Sequence, residues 1–158
     1  MEQLLRWLTR TPIQTFLLCP LVVIAFEFAW QGGTIAVTRA TLAVGLLLMV
    51  WGYLQYKLVG GYRGPRAGGG PGMETMPERT LDFGPYRYTR NPMYLGHIIF
   101  LIGLAIALRS WFALALLVLR AIWFQLRVLT DEARLQAAFG ADYDAYRARV
   151  KRWIPYVL

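Results

Sequence analysis

Four apolar segments alternate with polar stretches along the chain and predict four membrane-crossing helices. The segments are residues 13–30, 40–59, 93–108 and 111–129. A helix needs about 20 residues to cross the hydrocarbon core of a bilayer, and the first, second and fourth segments provide them. The third would measure only about 24 Å at 1.5 Å per residue, so we expect its flanks to complete it or the membrane to be thin there.

The ends of the segments add detail to this pattern. Thr11 is expected to cap the first helix, with Pro12 as its first residue. We expect this helix to be retained in the membrane, because no small-residue cleavage site follows it. Only Arg109 and Ser110 separate the third and fourth segments, and so short a link predicts an antiparallel helical hairpin. The fold class expected is all-α and polytopic, with residues 1–158 forming one domain.

The composition supports lipid as the solvent of the chain. Hydrophobic residues make up 57% of it and charged residues only 16%, whereas soluble domains are near one quarter charged. A soluble protein of 158 residues could not bury so much apolar surface. The net charge of +8 then indicates an anionic membrane face rather than nucleic acid. Cys19 is the single cysteine, which excludes an internal disulfide and a cysteine-based metal site.

Lys and Arg residues predict the orientation of the helices. They concentrate before the first segment, where Arg6 and Arg10 lie, in the 60–92 loop and in the 130–158 tail. The two remaining loops carry only Arg39 and Arg109. Because cytoplasmic loops are rich in Lys and Arg, we expect both termini and the long loop to be cytoplasmic. The expected location is the inner, or cytoplasmic, membrane.

The long loop and the tail differ in character. Residues 60–72 hold seven glycines and two prolines, so we expect them to be mobile. In the tail, Gly140 is expected to stop a helix and residues 142–152 to form a second one, ended by Pro155. One face of that helix is apolar, which suits the membrane surface. The residues of this apolar face are Tyr143, Tyr146, Val150 and Trp153.

Two stretches could carry chemistry. Residues 84–96 read Gly-Pro-Tyr-Arg-Tyr-Thr-Arg-Asn-Pro-Met-Tyr-Leu-Gly, in which Asn91 is a helix cap before Pro92. This is either simply a well-formed helix start or an anion site built from free backbone N–H groups. The second stretch is Asp131-Glu132. It is either an exposed helix with an Arg127–Asp131 pair, or a place where Glu132 accepts a ligand's ammonium or hydroxyl group.

In this order, the two stretches resemble the integral-membrane methyltransferases related to isoprenylcysteine carboxyl methyltransferase and phospholipid methyltransferase. That family shows Gly-Pro-Tyr-x-x-x-Arg-His-Pro-x-Tyr-x-Gly at the start of a membrane helix. After a helical hairpin it shows an acidic residue and Glu, then Phe/Tyr-Gly, two tyrosines and a proline. The resemblance covers residues 77–156. It departs at Asn91, where many relatives have His, and Asn cannot act as an acid or base near pH 7.

The resemblance implies S-adenosylmethionine as the cofactor, bound at the cytoplasmic side. Its expected function is methyl transfer to a lipid or hydrophobic small-molecule acceptor, with the acceptor and its O, N or S atom left open. No metal and no nucleic acid are expected to take part. Arg90, Asn91, Tyr94 and Leu95 would frame the amino-acid end of the cofactor, and Glu132 would meet its amino or ribose group. The residues expected to bind the cofactor are Tyr86, Arg90, Asn91, Tyr94, Leu95, Gly96, Glu132, Tyr143 and Tyr146.

Polar residues inside the apolar segments are further candidates, since a charge at membrane depth is costly. Arg120 lies nine residues into the fourth segment. We expect Arg120 and Glu132 to be catalytic, with Arg120 contacting the acceptor headgroup; the alternative is that Arg120 pairs internally with Glu27. Glu27, near the far end of the first segment, is expected to be exposed at the interface rather than to take part in chemistry. His97 is expected to be packed or to line a cavity rather than to catalyse.

Two other functions fit parts of the pattern. Membrane reductases of the sterol-reductase type share a similar Arg-His-Pro-x-Tyr helix and use NADPH, although they are much longer. A non-catalytic membrane scaffold or transporter subunit would also suit four helices with intramembrane charges. Ligand-linked stabilisation by either cofactor distinguishes these hypotheses.

Overall fold

A computed structural model describes residues 10–68 and 77–154. These residues form helices and connecting loops, without a β-strand among them. The main helices, in chain order, are α1 (Thr11–Trp30), α2 (Arg39–Ala67), α3 (Pro92–Leu108) and α4 (Trp111–Arg149), with a short 3-10 helix, Gly84–Arg87, before α3. The predicted all-α fold is confirmed. The expectations for Arg6, Pro155 and the glycines at 69, 70 and 72 lie outside the described residues.

Three of the helices, α1, α2 and α4, are long and apolar enough to cross a membrane. Helix α3 is shorter, with 17 residues, as its apolar segment predicted. Large apolar side chains point away from the protein on these helices: Leu47 is 71% exposed, Leu58 68% and Leu119 61%. Lipid is the solvent that tolerates such side chains. The chain is an integral membrane protein with a polytopic, all-helical fold.

Helix α1 begins one residue earlier than predicted. Arg10 takes the cap position, and Thr11 is the first helical residue instead of the cap. Pro12 still lies in the first turn, where a missing N–H costs nothing. The next turn, Gln14–Leu18, is π-helical. Pro20 follows it closely and cannot donate a backbone hydrogen bond, which accounts for a break in the α-helical ladder at this point.

Helix α2 continues well beyond its predicted end at residue 59. It runs to Ala67, so the expectation that residues 60–67 form a mobile loop is wrong. Each glycine in a helix costs about 1 kcal/mol relative to alanine, and burial offsets that cost here. Val59, Arg63 and Ala67, spaced by one helical turn, are only 4%, 8% and 1% exposed. They form an inward stripe along the end of α2.

The predicted hairpin between α3 and α4 is present. Arg109 adopts a left-handed conformation, with φ of 50°, and the Ser110 hydroxyl accepts the Ala113 N–H at 2.9 Å to cap α4. That hydroxyl also donates to Glu27, whose other oxygen accepts from Gln31 at 2.7 Å. Glu27 is therefore only 3% exposed, and the expectation that its side chain is exposed is wrong. A buried carboxylate needs such donors to offset its desolvation.

The tail breaks at Gly140, as predicted. This glycine has φ 51° and ψ −123°, a left-handed conformation that glycine adopts at low cost, and the helix beyond it ends at Arg149. The apolar face of that helix does not lie on the membrane surface as expected. Tyr143, Tyr146 and Val150 are 2%, 4% and 6% exposed and pack with Leu135 and Phe139. Burial within the protein removes the apolar surface of these side chains from both water and lipid.

The described chain divides into two compact units. The first comprises residues up to Tyr53 together with His97–Ala121, and the second comprises Leu54–Gly96 together with residues from Ile122 onward. The single domain predicted from the sequence stays a prediction.

Two close contacts characterise the first unit. Gly45 and Gly103 let α2 and α3 approach closely, because a Cβ added at Gly45 would lie 2.5 Å from the Ala107 Cβ. His97 is fully buried and stacks on Phe16, with ring centroids 4.5 Å apart. His97 thus has the surroundings expected of a packed side chain.

Candidate functional site

The second unit contains a cavity of about 370 Å³. Pockets for small molecules range from about 300 to 1,000 Å³, so the cavity is large enough for such a ligand. Both sequence stretches that were singled out contribute to its wall. The predicted site residues that line it are Tyr86, Arg90, Asn91, Tyr94, Glu132, Tyr143 and Tyr146.

Three of the predicted site residues lie elsewhere. Leu95 and Gly96 follow Tyr94 on α3 but are not among the residues lining the cavity. Arg120 belongs to the first unit. There it donates hydrogen bonds to the Gln14 side chain at 3.0 Å and to the Thr15 hydroxyl at 3.1 Å. The π-helical turn of α1 carries both of these acceptors.

A buried carboxylate between two arginines is the central feature of the site. Glu132 accepts from Arg90 Nε at 3.0 Å, and from Arg152 Nε and Nη2 at 3.1 and 2.9 Å. The Glu132 side chain is 7% exposed, against 10% for Arg90 and 26% for Arg152. Charge-assisted, bidentate hydrogen bonds of this kind are among the strongest in proteins. Glu132 therefore fixes two cationic side chains at the edge of the cavity.

Backbone groups of the tail hold the turn that precedes α3. The Arg90 N–H donates to the Lys151 carbonyl at 2.9 Å, and Arg90 Nη1 donates to the Val150 carbonyl at 2.6 Å. The Arg152 carbonyl accepts from the Thr89 hydroxyl at 2.9 Å. Hydrogen bonds of both side-chain and backbone groups thus join the turn at residues 89–91 to the tail at residues 147–152.

Asn91 combines a helix-capping position with a contact to the tail. Its carbonyl accepts the Leu95 N–H at 3.0 Å, as expected of the residue before α3. Its side-chain amide donates to the Arg152 carbonyl at 3.2 Å. A histidine ring N–H could also act as a donor at such a position, whereas asparagine donates but cannot titrate.

Tyrosine hydroxyls fix the remaining walls. Tyr94 donates to Asp131 at 2.8 Å, and Tyr146 donates to the Tyr86 carbonyl at 2.8 Å. Asp131 also lines the cavity and lies 3.6 Å from Arg127, the i,i+4 pair that the sequence predicted. These hydrogen bonds hold the Asp131 carboxylate and the 3-10 helix at the cavity wall.

The charge states of the site follow from its contacts. Burial alone would raise the pKa of Glu132, but hydrogen bonds from Arg152 and Arg90 lower it below the usual value. Burial raises the pKa of Tyr86 to about 12 and, together with the nearby Glu132, that of Tyr143 to about 12. At neutral pH, Glu132 is therefore an anion and both tyrosines are neutral. The tyrosines can donate hydrogen bonds but do not act as bases.

Comparison with known proteins identifies the family of this chain. Residues 34–142, more than half of the chain, match the family model described as phospholipid methyltransferase. The chain belongs to the phospholipid methyltransferase family. The match includes Tyr86, Arg90 and Glu132, whereas Tyr143 and Tyr146 lie just beyond it. The family resemblance seen in the sequence is thereby confirmed.

One curated relative gives a more detailed comparison. The chain is 37% identical over 76 residues to a protein-S-isoprenylcysteine O-methyltransferase of Schizosaccharomyces pombe. The alignment covers 47% of this chain and 32% of that protein, so the chain spans about a third of the relative's length. No solved structure matches the chain.

Several residues that line the cavity of this family member, or contact its lining, were not predicted from the sequence. Arg152 is inconspicuous among the basic residues of the tail, and only the geometry reveals its contact with Glu132. Asp131 was expected to pair with Arg127 and to belong to the acidic motif, but not to line a ligand site. Arg63 and Thr80 also line the cavity, one from the end of α2 and one from the loop before the 3-10 helix. No local pattern in the sequence would have identified either of them.

Proposed function

We propose that this chain transfers a methyl group from S-adenosylmethionine to a lipophilic acceptor at the cytoplasmic face of the membrane. The observation that carries the proposal is the cavity itself. Its wall is built from both stretches of the family motif, with Arg90 and Asn91 from one and Glu132 from the other. Membership of the phospholipid methyltransferase family supports methyl transfer over the reductase and scaffold alternatives.

The residues at the cavity fit this cofactor in charge and in polarity. S-adenosylmethionine combines a sulfonium and an ammonium cation with a carboxylate, and it carries an aromatic base. The cavity offers the carboxylates of Asp131 and Glu132, arginine side chains, and the rings of Tyr86 and Tyr143. The Thr80 hydroxyl is buried there without a hydrogen-bond partner among the described residues. A polar ligand in the cavity would satisfy that group.

The role of the protein would be to position the two reactants. When bound, the cofactor supplies an electrophilic methyl group for in-line attack by an O, N or S nucleophile. Glu132 would act mainly by holding Arg90 and Arg152 in place, since both of its oxygens already accept from them. Tyr94, through Asp131, would keep the second carboxylate at the cavity wall. Alignment in a site shielded from water can contribute much of a rate enhancement.

The acceptor is proposed to reach the site from the bilayer. The S. pombe relative is by its name a methyltransferase of protein isoprenylcysteine, and a lipophilic acceptor of this chain would share that apolar character. We propose that Arg120 contacts the acceptor headgroup, because a planar guanidinium suits a carboxylate or phosphate. Gln14 and Thr15 would orient that guanidinium.

The proposed topology places both termini and the loop before α3 in the cytoplasm, in a protein of the inner membrane. The positive charges before α3 and in the tail support it, since Arg87, Arg90 and Arg152 lie there and cytoplasmic loops are rich in Lys and Arg. Cytoplasmic and periplasmic reporter fusions at each end test the topology. A periplasmic C-terminus would overturn the four-crossing arrangement.

Ligand-linked stabilisation tests the function. The purified chain in detergent is heated alone, with S-adenosylhomocysteine and with NADPH. We expect the first ligand to raise the melting temperature and NADPH to leave it unchanged. Stabilisation by NADPH alone would favour the reductase alternative. Incubation of a membrane lipid extract with radiolabelled S-adenosylmethionine would then identify the methyl acceptor.

A further inference from the structure

The two charged groups at the centre of the site are largely committed to the protein itself. Each of the three nitrogen atoms of the Arg90 guanidinium contacts an oxygen: Nε and Nη2 contact Glu132, and Nη1 donates to the Val150 carbonyl. Both oxygens of Glu132 in turn accept from arginines, one of them from Arg90 and the other from Arg152. Recognition of the charged part of a ligand therefore falls to other side chains of the cavity wall.

Asp131 and Arg134 are a second charged pair in that wall. They are separated by three positions on α4, so their side chains lie on the same face of the helix. Both line the cavity, and Arg134 Nη1 lies 4.0 Å from Asp131 Oδ1. The Arg134 side chain is 60% exposed and that of Asp131 is 24% exposed. The two groups thus attract each other only loosely, and both stay accessible to a ligand.

The other contacts of Asp131 fix its carboxylate in place. Its Oδ2 atom accepts from the Tyr94 hydroxyl at 2.8 Å, and its Oδ1 atom lies 3.6 Å from Arg127 Nε. Arg127 is not among the residues that line the cavity, so Arg134 is the arginine beside Asp131 that faces the ligand space. Two arginines and one aspartate carry one net positive charge, so an anionic group is not repelled at Arg134.

The pair lies at a depth that a water-soluble ligand can reach. The fourth apolar segment ends at residue 129, and residues 131 and 134 follow about 3 and 8 Å farther along the helix. Positions just outside the hydrocarbon core are at the level of lipid headgroups and water. The location therefore suits a charged ligand that arrives from water rather than from the bilayer.

We propose that Asp131 and Arg134 form a subsite for a zwitterionic α-amino acid group, which in this cavity is the amino-acid end of the cofactor. Such a group carries an ammonium and a carboxylate on one carbon atom, so it matches an anion and a cation that lie 4.0 Å apart. Asp131 accepts hydrogen bonds from the ammonium, and Arg134 donates to the carboxylate through its planar guanidinium.

The inference rests on the proposed function, because it takes S-adenosylmethionine as the ligand of the cavity. The sequence motif assigns the amino-acid end of the cofactor to residues such as Arg90 and Glu132. The geometry transfers its two charged groups to Asp131 and Arg134, and leaves Arg90 and Glu132 to hold the tail.

Four ligands test the two halves of the subsite separately, by calorimetry on the full chain in detergent. S-adenosylhomocysteine carries both charges, one analogue lacks only its carboxylate, another lacks only its α-amino group, and 5′-methylthioadenosine lacks the whole amino-acid end. We expect Arg134→Gln to weaken the two ligands with a carboxylate about tenfold and to leave the other two nearly unchanged. Arg134→Lys should retain part of the affinity, since it keeps the charge without the planar fork.

Asp131→Asn should show the complementary selectivity. We expect it to weaken the two ligands with an ammonium group severalfold and to leave the other two nearly unchanged. The loss is smaller than in Arg134→Gln, because asparagine keeps a carbonyl oxygen that can accept from the ammonium. Arg127→Gln is the matched control, since it removes an equal charge 3.6 Å from Asp131 at a residue that does not line the cavity. This control should not distinguish ligands with a carboxylate from those without one.

Two results would overturn the subsite. One is that Arg134→Gln and Asp131→Asn change none of the four affinities, or weaken all four equally through general damage to the cavity. The other is that Arg127→Gln reproduces the carboxylate-specific loss, because electrostatics at a distance would then account for it. Retained binding of methylthioadenosine shows that a variant is folded. A parent chain that binds neither S-adenosylhomocysteine nor methylthioadenosine would contradict the proposed function, and the subsite with it.

Discussion

The Arg152 guanidinium reaches both carboxylate oxygens of Glu132, through Nε at 3.1 Å and Nη2 at 2.9 Å. Arg90 shares one of those oxygens, so two arginines meet at one buried anion. Removing a single member of a buried ion pair is strongly destabilising, because the remaining charge loses its compensation. The tail and the start of α3 are therefore coupled through Glu132.

Glu132→Gln should weaken S-adenosylhomocysteine binding more than Asp131→Asn does. A glutamine amide cannot neutralise Arg90 and Arg152, whereas the Asp131 side chain is 24% exposed and better solvated. The loss of one hydrogen bond to a charged group costs about 1.5–3 kcal/mol. Isothermal titration calorimetry in detergent compares the two variants with the parent chain. Equal losses, or none, would remove Glu132 from the site.

The stability of the protein should depend on pH through Glu132. Burial opposes its ionisation, but the hydrogen bonds from Arg152 and Arg90 bring its pKa below the usual value of 4.5. Its contribution is thus fully present above the ordinary pKa and is lost as the pH falls through the lower folded-state pKa. The melting temperature of the parent chain should approach that of Glu132→Gln on acidification. A constant difference between the two down to the lowest pH tolerated would contradict this assignment.

Arg152→Gln should loosen the join between the tail and the turn before α3. Loss of the guanidinium removes both hydrogen bonds to Glu132, and we expect faster hydrogen exchange at residues 89–91 together with weaker S-adenosylhomocysteine binding. Arg152→Lys should restore only part of the affinity, because the planar fork is lost. Lys151→Gln is the matched control, since its side chain is exposed and its carbonyl contact survives. Unchanged exchange in Arg152→Gln would show that the backbone contacts suffice.

Arg120→Leu should depress turnover while leaving S-adenosylhomocysteine affinity nearly intact. Arg120 donates hydrogen bonds to Gln14 and Thr15 in the first unit, whereas the cavity belongs to the second. Arg120→Lys should recover part of the turnover, because it keeps the charge without the fork. Steady-state kinetics on the identified acceptor and a binding titration separate the two effects. Full turnover in Arg120→Leu would exclude the headgroup role.

The helices were predictable from the sequence because membrane helices carry their own apolar pattern. The errors occurred where distant residues decide the outcome. The glycines after Val59 indicate a loop locally, yet burial of Arg63 and Ala67 keeps them helical. Glu27 has its partner Ser110 83 positions along the chain, and no local pattern shows that pairing.

The candidate site was predictable only in part, for a similar reason. The family motif identified seven residues that line the cavity, including Arg90, Asn91 and Glu132. It did not identify Arg152, which meets Glu132 20 positions later in the chain. Thr80 was also missed, because its hydroxyl is notable only for its buried position beside the cavity. Such features arise from folding and have no counterpart in residue spacing.

The join between the turn at 89–91 and the tail at 147–152 also bears on how the protein is made. Arg90 and its acceptor Val150 are 60 residues apart, and the whole α3–α4 hairpin separates them. During synthesis, both apolar segments of that hairpin are made before residues 147–152. A nascent chain stopped near Gly140 would therefore contain all its apolar segments and still lack one wall of the cavity. A complete cavity wall therefore requires residues that are made after the last apolar segment, among them Tyr143 and Tyr146.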